Sequence, residues 1–184
     1  MKNILKNRLA LSTVVTTLII LVVSVLLAGV VTYFAINVTS TRVQEESLIL
    51  TKQHIWVDSA GDATQAGIMI TNTGGRDIVL SKIAVRGQTV DSANLYYAMA
   101  ADGDDLSTDL AYDDTLAAAP GGLTATLAVV TGDIVLKSGD TIVIYIDTPD
   151  SITVNDIGLT AAITVFTSQA MYYKETNVEA VALA

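Results

Sequence analysis

The stretch LALSTVVTTLIILVVSVLLAGVVTYFAINVTST, residues 9–41, is 33 residues long and carries no charge. A helix rises about 1.5 Å per residue, so this run reaches roughly 50 Å. The hydrocarbon core of a bilayer is about 30 Å thick and needs only about 20 apolar residues. The run therefore predicts a helix that spans a membrane with more than two turns to spare, and the surplus calls for a second partner. β-Branched residues such as Val14, Val15, Ile19, Ile20, Val30 and Val31, together with Gly29, lower its intrinsic helix propensity. In lipid that preference is overridden, because only the helix satisfies its own amides there. Ser24, Ala28, Gly29 and Thr32 stand at helix-neighbour spacings that allow close approach by another helix.

The flanks give the run a direction. Lys2, Lys6 and Arg8 precede it. Basic residues are retained on the cytoplasmic side, so everything from Arg42 on is expected outside the cell. A secretory signal that is discarded whole has an apolar core of about 7–15 residues. This one is more than twice that, so most of it is expected to stay on the product.

The remaining residues, from about 54 to 184, are the size of one ordinary domain. The chain has no cysteine, which removes disulfides, thiol catalysis and Cys-based zinc sites. Its net charge is −9, and after the basic leader 7 basic residues face 19 acidic ones. That surface repels phosphate backbones, so no nucleic-acid partner is expected.

Within the domain, Ala66–Thr71 and Ile78–Arg86 read as strands joined by the turn Asn72-Thr73-Gly74-Gly75, whose residue types suit a hairpin. Further strands are expected at 92–98, 124–130, 133–136, 141–147 and 157–167, with turns at Pro120-Gly121-Gly122, Lys137–Asp140 and Thr148-Pro149-Asp150. Short strands at such intervals predict an antiparallel β-sandwich head, and with the N-terminal helix an α+β fold. Val43, Leu48, Ile49 and Ile55 space as one apolar stripe, so the helix is expected to run on to about residue 53.

No catalytic constellation is present. His54 is the one histidine, best read as a surface or packing residue. The sequence holds no nucleophile elbow, no His-Glu-x-x-His helix and no phosphate cradle. The expectation is a protein that is not an enzyme. Residues 102–114 carry six aspartates and no cation. Such an oxygen-rich loop suits a solvated surface or Ca²⁺, for which Asp102, Asp104, Asp105 and Asp109 are the candidate ligands. The order does not match the helix-loop-helix calcium pattern, whose later ligands and closing Glu are missing. Asn37-Val38-Thr39 is the one acceptor sequence for N-glycosylation.

The segment Leu9-Ala10-Leu11-Ser12-Thr13-Val14-Val15 behind Lys6 and Arg8 resembles the class III signal of archaeal type IV pilins. The resemblance covers roughly the first 50 residues. It implies cleavage between Ala10 and Leu11 by a prepilin peptidase, leaving residues 1–10 as a leader and 11–53 as the filament-core helix. It also implies an assembly machinery, and a homopolymer held together by its helices, with Val15, Leu18, Ile19, Val22, Val23, Leu26 and Val30 in the core. Ala10 stands where the family usually has Gly, Thr13 where Pro is common, and Val15 where bacterial pilins often have Glu. The Gly-Ile-Gly-Thr-Leu opening of archaellins is missing, so the resemblance points to an adhesive or structural pilus. A single-pass, membrane-anchored ectodomain with a binding or sensing role is the alternative expectation.

Overall fold

The computed structural model describes residues 8–43, 45–58 and 63–181. It shows an α+β protein: one long apolar helix, α1 (Arg8–Val43), followed by a domain built almost entirely of strands. The two form separate compact units, with the boundary after Val43.

The helix stops about ten residues short of its expected end, and Leu48–Asp58 is strand β1. Two physical reasons favour this. Glu45 and Glu46 would sit at the negative end of the helix dipole. Beyond them, Leu48 and Leu50 are buried while Ile49 and Thr51 are exposed, a period of two. The stripe that looked helical is half of an alternating strand.

The other strands are β2 (Thr64–Asn72), β3 (Ile78–Val85), β4 (Gln88–Thr89), β5 (Leu95–Met99), β6 (Ala128–Val129), β7 (Ile134–Leu136), β8 (Thr141–Asp147), β9 (Thr160–Thr167) and β10 (Met171–Val181). They form one curled sheet in the order β4-β3-β9-β10-β1-β2-β8-β5-β6, with β7 on the free side of β3. Neighbours pair antiparallel except β1 and β10, which run parallel from Ile55/Val178 to Asp58/Val181. Strand β10 is the fold's pivot. Its first seven residues pair with β9, and its last four with β1. A strand that changes partners in this way lets one sheet fold back on itself as the two layers of a sandwich.

The sandwich core lies between the layers. Ile55, Val57, Ala66, Ile68, Ile70, Ile142, Ile144 and Ile146 face Ile78, Leu80, Ile83, Val85, Ile163 and Val165. Alternation is clear on β9, which reads exposed, buried, intermediate, buried. It vanishes on β8, where Thr141–Ile146 are all buried. The cause is a second apolar cluster on the outer face of the β1-β2-β8-β5 layer. Trp56, Met69, Ala98, Val143 and Tyr145 are covered there by Leu110, Leu116, Leu123 and Leu127 from the long connection between β5 and β6. A layer covered on both faces needs no polar side.

The expected hairpin at Asn72–Gly75 is instead a crossover between layers. β2 pairs with β1 and β8, whereas β3 pairs with β9, β7 and β4. Asn72 holds the crossing. Its fully buried side chain donates from Nδ2 to the carbonyls of Arg76 and Leu136, and its Oδ1 accepts from Gly74 N–H at 3.0 Å. A Cβ on Gly74 would lie 2.7 Å from the Glu45 carbonyl oxygen, so only glycine fits there. The strand expected at 124–130 shortens to Ala128–Val129, and the one at 157–167 begins at Thr160.

Candidate functional site

The feature that sets this chain apart is the surface of α1. From Ser12 to Thr41 it offers 30 residues long and apolar enough to cross a membrane, none of them buried against the rest of the chain. Its large apolar side chains, from Val14 to Val38, are between 45% and 72% exposed. The expected core residues Val15, Leu18, Ile19, Val22, Val23, Leu26 and Val30 are all among them. They do not form one stripe: apolar residues surround the helix on every side. A helix of that kind belongs inside an apolar environment.

The hydroxyls inside this stretch do not spoil that character. Thr16, Ser24, Thr32, Thr39 and Thr41 each donate to the carbonyl four residues back, at 2.6–2.9 Å, and Thr17 to the carbonyl of Val14 at 2.9 Å. Each of these six donors is thus satisfied within the helix and asks nothing of its surroundings. Nothing lies within 4 Å of the place a Cβ on Gly29 would occupy. Within the chain alone, glycine is not required there.

Ala10 and Leu11, the expected cleavage pair, lie in the first turns of α1. Their side chains, and residues 1–7 of the leader, lie outside the described residues. Asn37 and Thr39 lie within α1, and the Thr39 hydroxyl is turned onto the Ala35 carbonyl.

The acidic segment 102–114 is the second candidate, and the structure gives its aspartates separate tasks. Asp104 accepts from the N–H groups of Ala101 and Thr124. Asp105 accepts from the N–H and hydroxyl of Ser107. Asp113 accepts from Thr115 and from Ala118 N–H, while its own backbone is held by both ends of the Gln65 amide at 2.9 and 3.0 Å. Asp109 accepts from Leu110 N–H and faces His54 Nε2 at 3.2 Å. The four expected calcium ligands do not converge. Among the described residues, no three acidic or histidine side chains come together as a metal cluster. The reason is local: the carboxylates of Asp104, Asp105, Asp109 and Asp113 accept hydrogen bonds that shape the turns around them.

These turns leave their mark on the acids. Hydrogen bonds from Ala101 and Thr124 hold Asp104 below the usual carboxylate range, and those from Ser107 do the same for Asp105. Burial pushes Asp113 and Asp109 upward. Donors from Thr115 and Ala118 in the first case, and from Leu110 and His54 in the second, outweigh it.

Two side chains of β1 pin the segment from below. Lys52 Nζ donates to the carbonyls of Leu106 and Thr108. Lys52 sits at a break in the β1–β2 register with φ +51°, and the bulge re-aims its side chain. His54 stacks on Trp56 with ring centroids 5.2 Å apart, and its Nδ1 faces Glu179 at 3.1 Å. Tyr145 donates from its phenol to the Ala111 carbonyl at 2.7 Å, and burial pushes that phenol well above its ordinary value. Lys52 and Gln65 are anchors that the sequence did not mark, because neither stands in a motif.

A cleft of about 260 Å³ opens where the layers part beside the β6–β7 connection, floored by Leu80, Ile83, Leu95 and Val130, with Lys82 and Asp133 among its polar lining. It gathers no nucleophile–base pair.

No known protein family matches the chain, and no curated protein matches it. Among solved structures, it is similar to a family 123 glycoside hydrolase from Clostridium perfringens, at 12% identity over 76% of this chain with a TM-score of 0.36. The chain spans 28% of that hydrolase. At that score the likeness bears on neither fold nor chemistry.

Proposed function

We propose that this protein is the structural subunit of an extracellular, type IV pilus-like filament that serves adhesion or surface attachment. The observation that carries the reading is α1: 30 uncharged residues, exposed on every side, with the hydroxyls described above bonded back into the helix. In this reading the membrane holds the helix first. After cleavage between Ala10 and Leu11 by a prepilin peptidase, the assembly machinery extracts it, and helices of other copies replace lipid. Removing one Leu, Ile or Val from water contributes about 1.5–3 kcal/mol, and each subunit brings many. The contacts are heterologous and open, as helical growth requires. The role is structural rather than catalytic, and it calls for no cofactor.

The test is an intact-mass and N-terminal sequence measurement on protein from the cell surface, beside electron micrographs of the same fraction. A chain starting at Leu11 within filaments is the expected result. An intact Met1 confined to the membrane fraction, with no filaments, would overturn it in favour of a single-pass anchored ectodomain.

A further inference from the structure

His54 stands where β1, β10 and the covering segment meet, and both of its ring nitrogens face carboxylates. Nε2 lies 3.2 Å from Asp109 Oδ1 in the segment, and Nδ1 lies 3.1 Å from Glu179 Oε1 on β10. The ring is stacked on Trp56 with an angle of 8° between the planes, which fixes the directions of both nitrogens. A neutral imidazole has one N–H and one bare nitrogen. Whichever carboxylate faces the bare nitrogen meets a lone pair instead of a donor. Only the imidazolium donates to both at once.

The groups around the ring sort by element. The segment supplies Asp109, β10 supplies Glu179, and β1 itself supplies Lys52, whose charge also acts on Asp105 and Asp109. On β2 the residue paired with His54 is Gly67, which has no side chain to titrate. The phenols of Tyr112 and Tyr145, both against Trp56, are raised by burial and stay neutral at physiological pH. Histidine is the side chain whose charge ordinarily changes between about pH 5 and about pH 8. Asp109 is here a partner of the ring and of the Leu110 N–H, and among the described residues it belongs to no metal cluster.

From this geometry we infer that His54 is a pH-sensitive latch: its imidazolium ties the covering segment, through Asp109, to β10, through Glu179, and the cover loosens when the ring loses a proton. The inference stands apart from the filament reading given above. In the protonated ring both contacts are charge-assisted, and such bonds are about twice as strong as neutral ones. After deprotonation the two carboxylates compete for a single N–H. The bond to Asp109 then loses its charge assistance even where it survives. The segment is thus held tight on the acid side and loosens as pH rises through the titration of the ring. Asp109 and Glu179 are partly exposed, so the expected change in segment opening is about two- to fivefold. What the latch guards is the outer apolar cluster. Leu110, next to Asp109 in the chain, is buried there with Trp56 and Tyr145.

Trp56 is the one tryptophan of the chain, so its emission reports on the stacked ring without background. An imidazolium accepts an electron from an excited indole and quenches it, whereas the neutral ring does not. Full-length protein in detergent micelles is titrated between about pH 5 and about pH 8, with amide exchange, corrected for the intrinsic rate, followed beside the emission. As pH rises, emission should increase and exchange over 102–118 should quicken about two- to fivefold with the same midpoint, while β2 and β8 hold. His54→Gln should remove this dependence. Glu179→Gln leaves His54 on Trp56, and its amide accepts from Nδ1–H or donates to a bare Nδ1. Both ring forms are then satisfied on that side, so the exchange slope should shrink while emission still titrates. A flat emission, or emission that titrates with unchanged segment exchange, would overturn the latch. So would a slope that survives in His54→Gln, or β2 and β8 loosening together with the segment. If His54→Gln does not fold, Glu179→Gln decides, and an undiminished slope there would overturn the latch as well.

Discussion

The two units of this chain treat apolar surface in opposite ways. In the head, the large apolar residues of β2 and β8 are buried on both faces of their layer; in α1, those from Val14 to Val38 are all exposed. The head closes its own accounts through the pivot of β10 and the leucines of the β5–β6 connection. The helix carries the same kinds of side chain and presents them exposed along its described length. What the contrast teaches is that the head buries its apolar residues within its own unit, while α1 leaves its own exposed. The sharpest way to break the comparison is to charge the helix. In the filament proposed above, Val22→Asp or Leu26→Asp should abolish assembly altogether, because a bundle interior offers no partner for a carboxylate. The head should keep its denaturant midpoint, measured by tryptophan fluorescence of Trp56. Wild-type fibres in either variant would sink the assembly role of α1.

The next perturbation strikes the head. Ile144 is fully buried between the layers, and Ile144→Ala should cost about 2–5 kcal/mol of head stability, read from chemical denaturation. The expected asymmetry is the point: this large loss should spare fibres under conditions where the head remains folded, whereas the helix variants do the reverse. A smaller loss, confined to one region, is expected from Gly122→Ala. Gly122 has φ +81°, and a Cβ there would stand 2.4 Å from the Asp105 carbonyl oxygen. The strained backbone alone costs about 1–2 kcal/mol. Faster amide exchange over 102–123, with β2 and β8 unchanged, would place the damage in the covering segment.

How much of this could be read from the sequence follows the same divide. The helix was legible because 33 uncharged residues leave few alternatives. Its end was not, since Val43, Leu48, Ile49 and Ile55 satisfy a helical stripe and an alternating strand nearly equally. The dipole penalty at Glu45 and Glu46, together with pairing to β2, decides for the strand. The strands of β2, β3, β8 and β9 were found from local pattern. Their partnership was not: Asn72-Thr73-Gly74-Gly75 has hairpin chemistry, but Asn72 spends its side chain on Arg76, Leu136 and Gly74. Strand β10 was missed because its early residues are mostly exposed, with Val178 the one buried side chain. The acidic segment was correctly seen as unusual. Its carboxylates were read as a solvated surface or as candidate ligands for Ca²⁺, and backbone donors with Ser and Thr hydroxyls engage four of them. Such short-range competition depends on turn conformation, which spacing alone does not reveal.

The smallest expected effect concerns those carboxylates, and it is a pH effect. Asp104, Asp105, Asp109 and Asp113 are held below their unfolded values, which lie near about 3.9. Each therefore stabilises the folded segment above about pH 4, and that contribution disappears as pH falls through the folded values. Asp147 behaves oppositely. Burial raises it, so its contribution is present at acid pH and lost as pH rises through its folded value. Below pH 4 the amides of 102–118 should exchange faster, after correction for the intrinsic rate, while those of β2 and β8 hold. Asp113→Asn keeps the side-chain oxygen that accepts from Thr115 N–H but cannot titrate. It should flatten part of that acid slope by lowering protection of the segment at pH 7, where the amide no longer accepts from Ala118 N–H. A slope unaltered in Asp113→Asn, or β2 and β8 loosening together with the segment, would show that the aspartates do not hold this cover separately from the sandwich beneath it.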